Sequence, residues 1–162
     1  MATGARILLC IPLLAACTPP GAKTGNAGDQ APAQPANEAH CYLQITQNPP
    51  MVVDADTFPG TPDSLYIRMD LVGDLANGVY NWLPGEKDHM TGTFQGSREG
   101  NVITALYTYN AEGMTGKTEV IFRMQQGGLQ VATGEMTGDS IQVFKDKSKV
   151  TYSTLIPEVP CP

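Results

Sequence analysis

From Cys41 onward, apolar and polar side chains alternate with a period of two. In "SLYIRMDLV", Leu65, Ile67, Met69 and Leu71 alternate with Tyr66, Arg68 and Asp70. In "NVITALYTY", Ile103, Ala105, Tyr107 and Tyr109 share a face, and "TEVIFRMQ" sets Val120, Phe122 and Met124 against Glu119, Arg123 and Gln125. The alternation recurs in "CYLQIT", "GVYNWL", "TGTFQG", "GLQVAT", "SIQVF" and "VTYSTLI". Successive strand side chains point to opposite faces, so each run reads as a half-buried strand. Turn-forming stretches such as "GDLANG", "PGEKD", "GSREGN", "AEGMTGK", "QGG", "TGD" and "KDKSK" separate the runs. No long segment carries a 3.6-residue repeat. The pattern predicts an all-β fold: a single antiparallel meander of about eight strands. Closing it, fully or nearly, into a small barrel is the economical way to hide its edges; a two-layer β-sandwich is the alternative.

The first forty residues follow a different logic. Residues 1–16 begin with the basic Arg6 and continue as an apolar run from Ile7 to Ala16, broken by Pro12. This is the layout of a secretory signal, and the run is too short for a membrane span of about 20 apolar residues. Leu14, Ala15, Ala16 and Cys17 then resemble the lipobox of bacterial lipoproteins. The resemblance implies cleavage before Cys17 and attachment of diacylglycerol and a palmitate-type acyl chain to it; two or more chains give stable anchoring where one does not. Thr18 stands where an inner-membrane retention signal would have Asp. The expected location is therefore the bacterial cell envelope, lipid-anchored at the outer membrane and facing the periplasm. Residues 17–39 are rich in Ala, Gly, Pro, Thr, Asn and Gln with no large apolar side chain. Such a segment cannot offset its ordering entropy, so it reads as a linker, with a reach of about 25 Å. Residues 40–162 then form one domain with one core.

Charge and cysteines narrow the classes. The chain has ten Lys and Arg against sixteen Asp and Glu, which argues against nucleic acid as a partner, because that binding rests on cationic contacts to phosphate. Cys10 leaves with the signal and Cys17 carries lipid, so Cys41 and Cys161 remain in an exported chain, where disulfides persist. Neither belongs to a C-x-x-C, and the expected bond is structural, tying the first strand to the end of the chain.

Catalytic and metal chemistry find little support. The two histidines, His40 at the linker junction and His89 after a turn, show no triad spacing, and no metal-ligand motif is present. No catalytic residue, metal or cofactor is assigned, and the expected domain is not an enzyme. The densest polar stretch runs from Glu86, Lys87 and Asp88 to Glu112. In a hairpin turning near Arg98 to Gly100, Asp88 and Glu112 come to the same end of the strand pair. With Lys87, and Arg123 nearby, they form a candidate polar cluster at a barrel mouth. The simplest account of it is a solvated turn with a weak surface ion pair; a carboxylate acid/base pair of hydrolase type is the enzymatic alternative.

The combined pattern Glu86-Lys87-Asp88, Gly92-x-Phe94-x-Gly96, Tyr107-x-Tyr109, Glu112-Gly113 and Glu119-Val120-x-Phe122 resembles a family of small uncharacterised bacterial envelope lipoproteins with a lipobox, a polar linker and an all-β domain. The match covers roughly a third of the chain. It departs at Lys117 and Thr118, where an arginine is expected before the Glu-Val pair. The resemblance implies the domain type and no activity. The expected function is a membrane-tethered, non-enzymatic binding domain for a small apolar ligand. The alternative is a module that docks an envelope protein, such as an inhibitor of a cationic lytic enzyme.

Overall fold

The computed structural model describes residues 37–162, so the signal, Cys17 and nearly all of the linker lie outside the described residues. The strands are β1 (Asn37–Gln47), β2 (Met51–Val53), β3 (Asp56–Phe58), β4 (Pro62–Val72), β5 (Leu75–Leu83), β6 (Met90–Glu99), β7 (Val102–Ala111), β8 (Met114–Gln125), β9 (Gly128–Thr133), β10 (Met136–Thr137), β11 (Val143–Phe144), β12 (Thr151–Tyr152) and β13 (Ile156–Val159). A 3-10 turn, Lys147–Lys149, precedes β12. Eight strands form a closed antiparallel ring in the order β9-β13-β1-β4-β5-β6-β7-β8, with β8 returning to β9. The meander barrel expected from the alternation is the observed fold. β1 starts at Asn37, three residues before the expected domain boundary, because residues 37–39 pair with Val72 to Asp70 of β4.

Two-residue turns join β4 to β5, β6 to β7, β7 to β8 and β8 to β9. Gly73, Gly100, Gly113 and Gly127 supply the positive φ these turns require. The lumen takes one face of every strand. Tyr42, Ile67, Met69, Leu71, Ala76, Phe94, Ile103, Ala105, Tyr107, Val120, Phe122, Leu129, Val131 and Ile156 form one buried cluster. The inward faces read from the alternation in β4, β6, β7 and β8 are the faces found here.

Three segments differ from the simple reading. "VTYSTLI" is two strands, not one. The Ser153 hydroxyl oxygen accepts the Val131 N–H at 3.0 Å and the Ser153 N–H donates to the Val131 carbonyl at 2.9 Å, breaking the ladder between β12 and β13. "SIQVF" contributes only Val143 and Phe144, paired with Met136 and Thr137 outside the ring. There Phe144 packs on Ile121 and Ala132 of the outer face. The β2–β3 hairpin, "MVVDADTF", carries no alternation of buried and exposed side chains; all six strand residues are exposed.

The ring closes through few pairs. β13 meets β1 only at Cys41↔Val159 and Tyr42↔Glu158, and meets β9 only at Ile156↔Leu129 and Pro157↔Gly128. The expected Cys41–Cys161 disulfide bridges this seam, with Cα atoms 5.2 Å apart, and Cys41 is fully buried. His40 faces the lumen end beside the seam. Its Nδ1 lies 2.8 Å from Glu158 Oε1, its Nε2 3.6 Å from Glu38, and Arg98 reaches the same Glu38 at 3.7 Å. The junction histidine is thus held in a polar web that plugs the Asn37 end. In the chain-entropy account, a bond closing a loop this long contributes about 4 to 5 kcal/mol. Replacing Cys41 and Cys161 together by alanine should lower the unfolding free energy by that order in urea titrations; an unchanged midpoint would show that the strand pairs alone hold the seam.

Candidate functional site

The lumen is filled by the barrel's own rings. Tyr80 and Tyr107 lie with centroids 5.0 Å apart, Phe94 and Phe122 at 5.0 Å, Tyr80 and Phe122 at 5.8 Å and Tyr107 and Tyr109 at 5.4 Å. Facing glycines make room for them: a Cβ on Gly116 would strike the Tyr109 ring, and one on Gly78 would press on Phe94. Phe94, Tyr107 and Phe122 are at most 1% exposed. A ligand therefore has to bind at a mouth or on the outside.

The mouth remote from Asn37 is where the ring is incomplete. β8 and β9 pair only from Phe122↔Val131 to Gln125↔Gly128. Beyond that point β9 turns its other edge to β12, at Ala132↔Tyr152 and Thr133↔Thr151. β8 instead meets the loop before β11: the Glu119 N–H donates to the Gln142 carbonyl at 2.7 Å, and the Gln142 N–H to the Lys117 carbonyl at 3.2 Å. Glu119 ties that loop down further, accepting from the Phe144 N–H at 3.1 Å and from Lys147 Nζ at 2.6 Å. A cleft of about 240 Å³ remains between the parted strands, lined by Tyr80, Met90, Tyr107, Thr118, Val131 and Met136 among others. Its floor is apolar. The Tyr107 hydroxyl is occupied, donating to the Tyr80 carbonyl at 2.6 Å, and burial pushes the Tyr80 phenol above its ordinary pKa. Both phenols thus stay neutral at physiological pH.

The residues of the expected polar cluster are dispersed. The β6–β7 register, with Thr91 opposite Asn110, does carry Asp88 and Glu112 to the same end of the pair. Glu86 and Lys87, however, line a hollow beside Trp82, whereas Glu112 lines another with Tyr109 and Met114. Arg123 stands apart: it pairs with Val102 at the opposite end of β8, its guanidinium 3.5 Å above the Tyr152 ring. Among the described residues, none of Glu86, Lys87, Asp88, Glu112 and Arg123 makes an ion pair within 4.0 Å. No three His, Cys, Asp or Glu side chains among the described residues converge as a metal site.

Sequence reasoning passed over the cleft residues Tyr80 and Thr118 and the carboxylate of Asp63. Asp63 Oδ1 accepts from the Gly85 N–H at 2.8 Å and from Asn48 Nδ2 at 2.9 Å. The Gly85 amide, then Asn48, and more weakly Lys87, hold its pKa below the usual carboxylate value. Comparison with protein-family models, with curated proteins and with solved structures gives no match.

Glu112 has a conformational role. It occupies the first position of the Glu112-Gly113 turn at φ 52°, a left-handed conformation that disfavours a side chain. Glu112→Gly removes a left-handed conformation that costs an L residue about 1–2 kcal/mol, a gain partly offset by the unfolded-chain entropy glycine adds, and should raise the melting temperature slightly. A clear drop instead would assign the carboxylate a structural contact.

Proposed function

We propose that this chain is a lipid-tethered lipoprotein of the bacterial envelope, anchored through Cys17 at the outer membrane and facing the periplasm. Its barrel is a non-enzymatic binding domain for a small apolar ligand. The Leu14-Ala15-Ala16-Cys17 motif supports the anchor, and the Cys41–Cys161 bond suits an oxidising compartment. The observation that carries the binding reading is the apolar cleft between β8 and β9, the opening left above a filled lumen where these two strands of the closed ring part at one end. At about 240 Å³ it is smaller than pockets for drug-sized ligands, which run about 300–1,000 Å³. It suits one acyl chain or one ring. Buried apolar area would supply the affinity, at about 25 cal/mol per Å², with Thr118 and Thr133 at the rim.

The test fills the cleft. The full chain, purified in detergent, is titrated with 1-anilinonaphthalene-8-sulfonate and the probe is displaced with dodecanoate. Thr118→Phe should weaken both ligands by about tenfold or more, equivalent to about 1.4 kcal/mol, without lowering the melting temperature. Equal affinity in wild type and variant would reject the cleft as the site.

A second reading, a module that docks an envelope protein, is favoured by the β2–β3 hairpin. Val52 is 70% exposed, and Met51, Val53 and Phe58 are about half exposed, an apolar patch of the kind that marks protein contact. Photocrosslinking from position 52 in the host envelope should then give one discrete adduct that Phe58→Asp removes. No adduct, or one unaffected by that substitution, rejects this reading.

A further inference from the structure

A second binding site, distinct from the β8–β9 cleft, lies on the same mouth around Trp82. Trp82 belongs to the inward face of β5, paired with Leu65 on one side and Met90 on the other. It sits too near the rim to be covered and is 37% exposed. Two hollows flank it. One, of about 290 Å³, sets Asn48, Asp63, Glu86 and Lys87 among the apolar Pro49, Pro50, Met51 and Pro84; the other, of about 140 Å³, is lined by Gln44, Thr46, Asp63, Ser64 and Leu65. Asp63 and Trp82 line both, so together they form the ridge between them.

The ridge is prepared for a ligand rather than engaged with the protein. No aromatic ring or cation packs on the Trp82 indole among the described residues, and its Nε1–H has no acceptor among them. Both hydrogen bonds to Asp63 fall on Oδ1. The carboxylate is therefore fixed in orientation while Oδ2 remains open to accept. A group already ordered in the free protein loses little entropy on binding.

The chemistry around the ridge selects the ligand. An aromatic face is electron-rich and favours weakly positive C–H groups laid flat against it. The surrounding Gln44, Thr46 and Ser64 offer neutral donors and acceptors at its rim, and Asn48, whose Nδ2 is taken by Thr61 and Asp63, offers its amide oxygen. Asp63 and Glu86 disfavour a simple anion in the larger hollow, while Lys87 offsets one of the two carboxylates and so weakens the pull on a simple cation, the competitor that a titration with choline excludes. What fits is a neutral ring with an apolar face and a hydroxylated edge. We propose that Trp82 and Asp63 form a carbohydrate-binding site for a neutral oligosaccharide, one sugar ring in each hollow, the indole beneath the ring faces and Asp63 Oδ2 accepting a hydroxyl proton.

Trp82 is the one tryptophan in the chain, so its indole N–H resonance reports the site without assignment work. The full chain in a sugar-free detergent is titrated with maltotriose, mannotriose and triacetylchitotriose, with choline chloride and sodium phosphate as charged comparators. At least one saccharide should shift the resonance saturably while choline and phosphate do not. Asp63→Asn keeps an oxygen for Gly85 and Asn48 but puts an NH2 donor in place of the accepting Oδ2, and should weaken binding by about tenfold. Thr118→Phe should leave saccharide binding intact, separating this site from the apolar cleft. A resonance unmoved by all three saccharides, one moved equally by choline, or equal affinity in Asp63→Asn would each overturn the proposal.

Discussion

The barrel depends on one seam. Strands β4 to β9 are neighbours in sequence, four of their five junctions are two-residue turns, and their pairing costs little chain entropy. The β1–β13 contact joins the first and last strands across the whole domain through Cys41↔Val159 and Tyr42↔Glu158. So short a ladder provides little to offset the entropy of closing so long a loop, and the Cys41–Cys161 bond removes most of that cost from the unfolded chain. Packing follows from closure. Tyr42 and Ile156, both essentially fully buried, belong to the strands that meet here and complete the wall around the aromatic stack.

A sealed seam and a filled lumen leave only the rim and the outer face open to a ligand. Opposing glycines and rings across β5, β6, β7 and β8 give the interior its density, so no ligand chamber remains inside. The two ends differ in character. The Asn37 end is plugged by charged and titratable side chains, Glu38, His40, Arg98 and Glu158. The other end carries the apolar cleft and the Trp82 ridge, because there β8 and β9 separate and the β1–β4 and β5–β6 connections wall the hollows with both apolar and charged side chains.

The sequence announces what is periodic and hides what depends on interruption. Strand faces were legible in Leu65, Ile67, Met69 and Leu71, since a period-two pattern fixes which side is buried once one face is apolar. The disulfide followed from there being two cysteines left to pair. Counting outward from Gly73-Asp74 also sets Leu65 opposite Trp82, so the ridge was within reach of the register rule. Counting from Glu112-Gly113 likewise sends Arg123 to Val102, away from Glu112. The β8–β9 cleft was not legible. It arises where β9 stops pairing with β8 beyond Val131 and Glu119 fastens a distant loop to β8 instead, a contact with no local pattern. The β2–β3 hairpin left no alternation to read, since neither of its faces is buried.

The cross-link also decides how the domain bears load. A pull arriving at Asn37 can peel residues 37–40 from β4, a lengthening of roughly 13 Å at about 3.3 Å per residue. At Cys41 the pull is shared with the carboxy-terminal strand through sulfur, so β1 cannot be stripped further without taking β13 with it. A domain leashed at that end and gripped at its far mouth would thus yield by four residues and then stiffen, working as a short tether with a built-in stop.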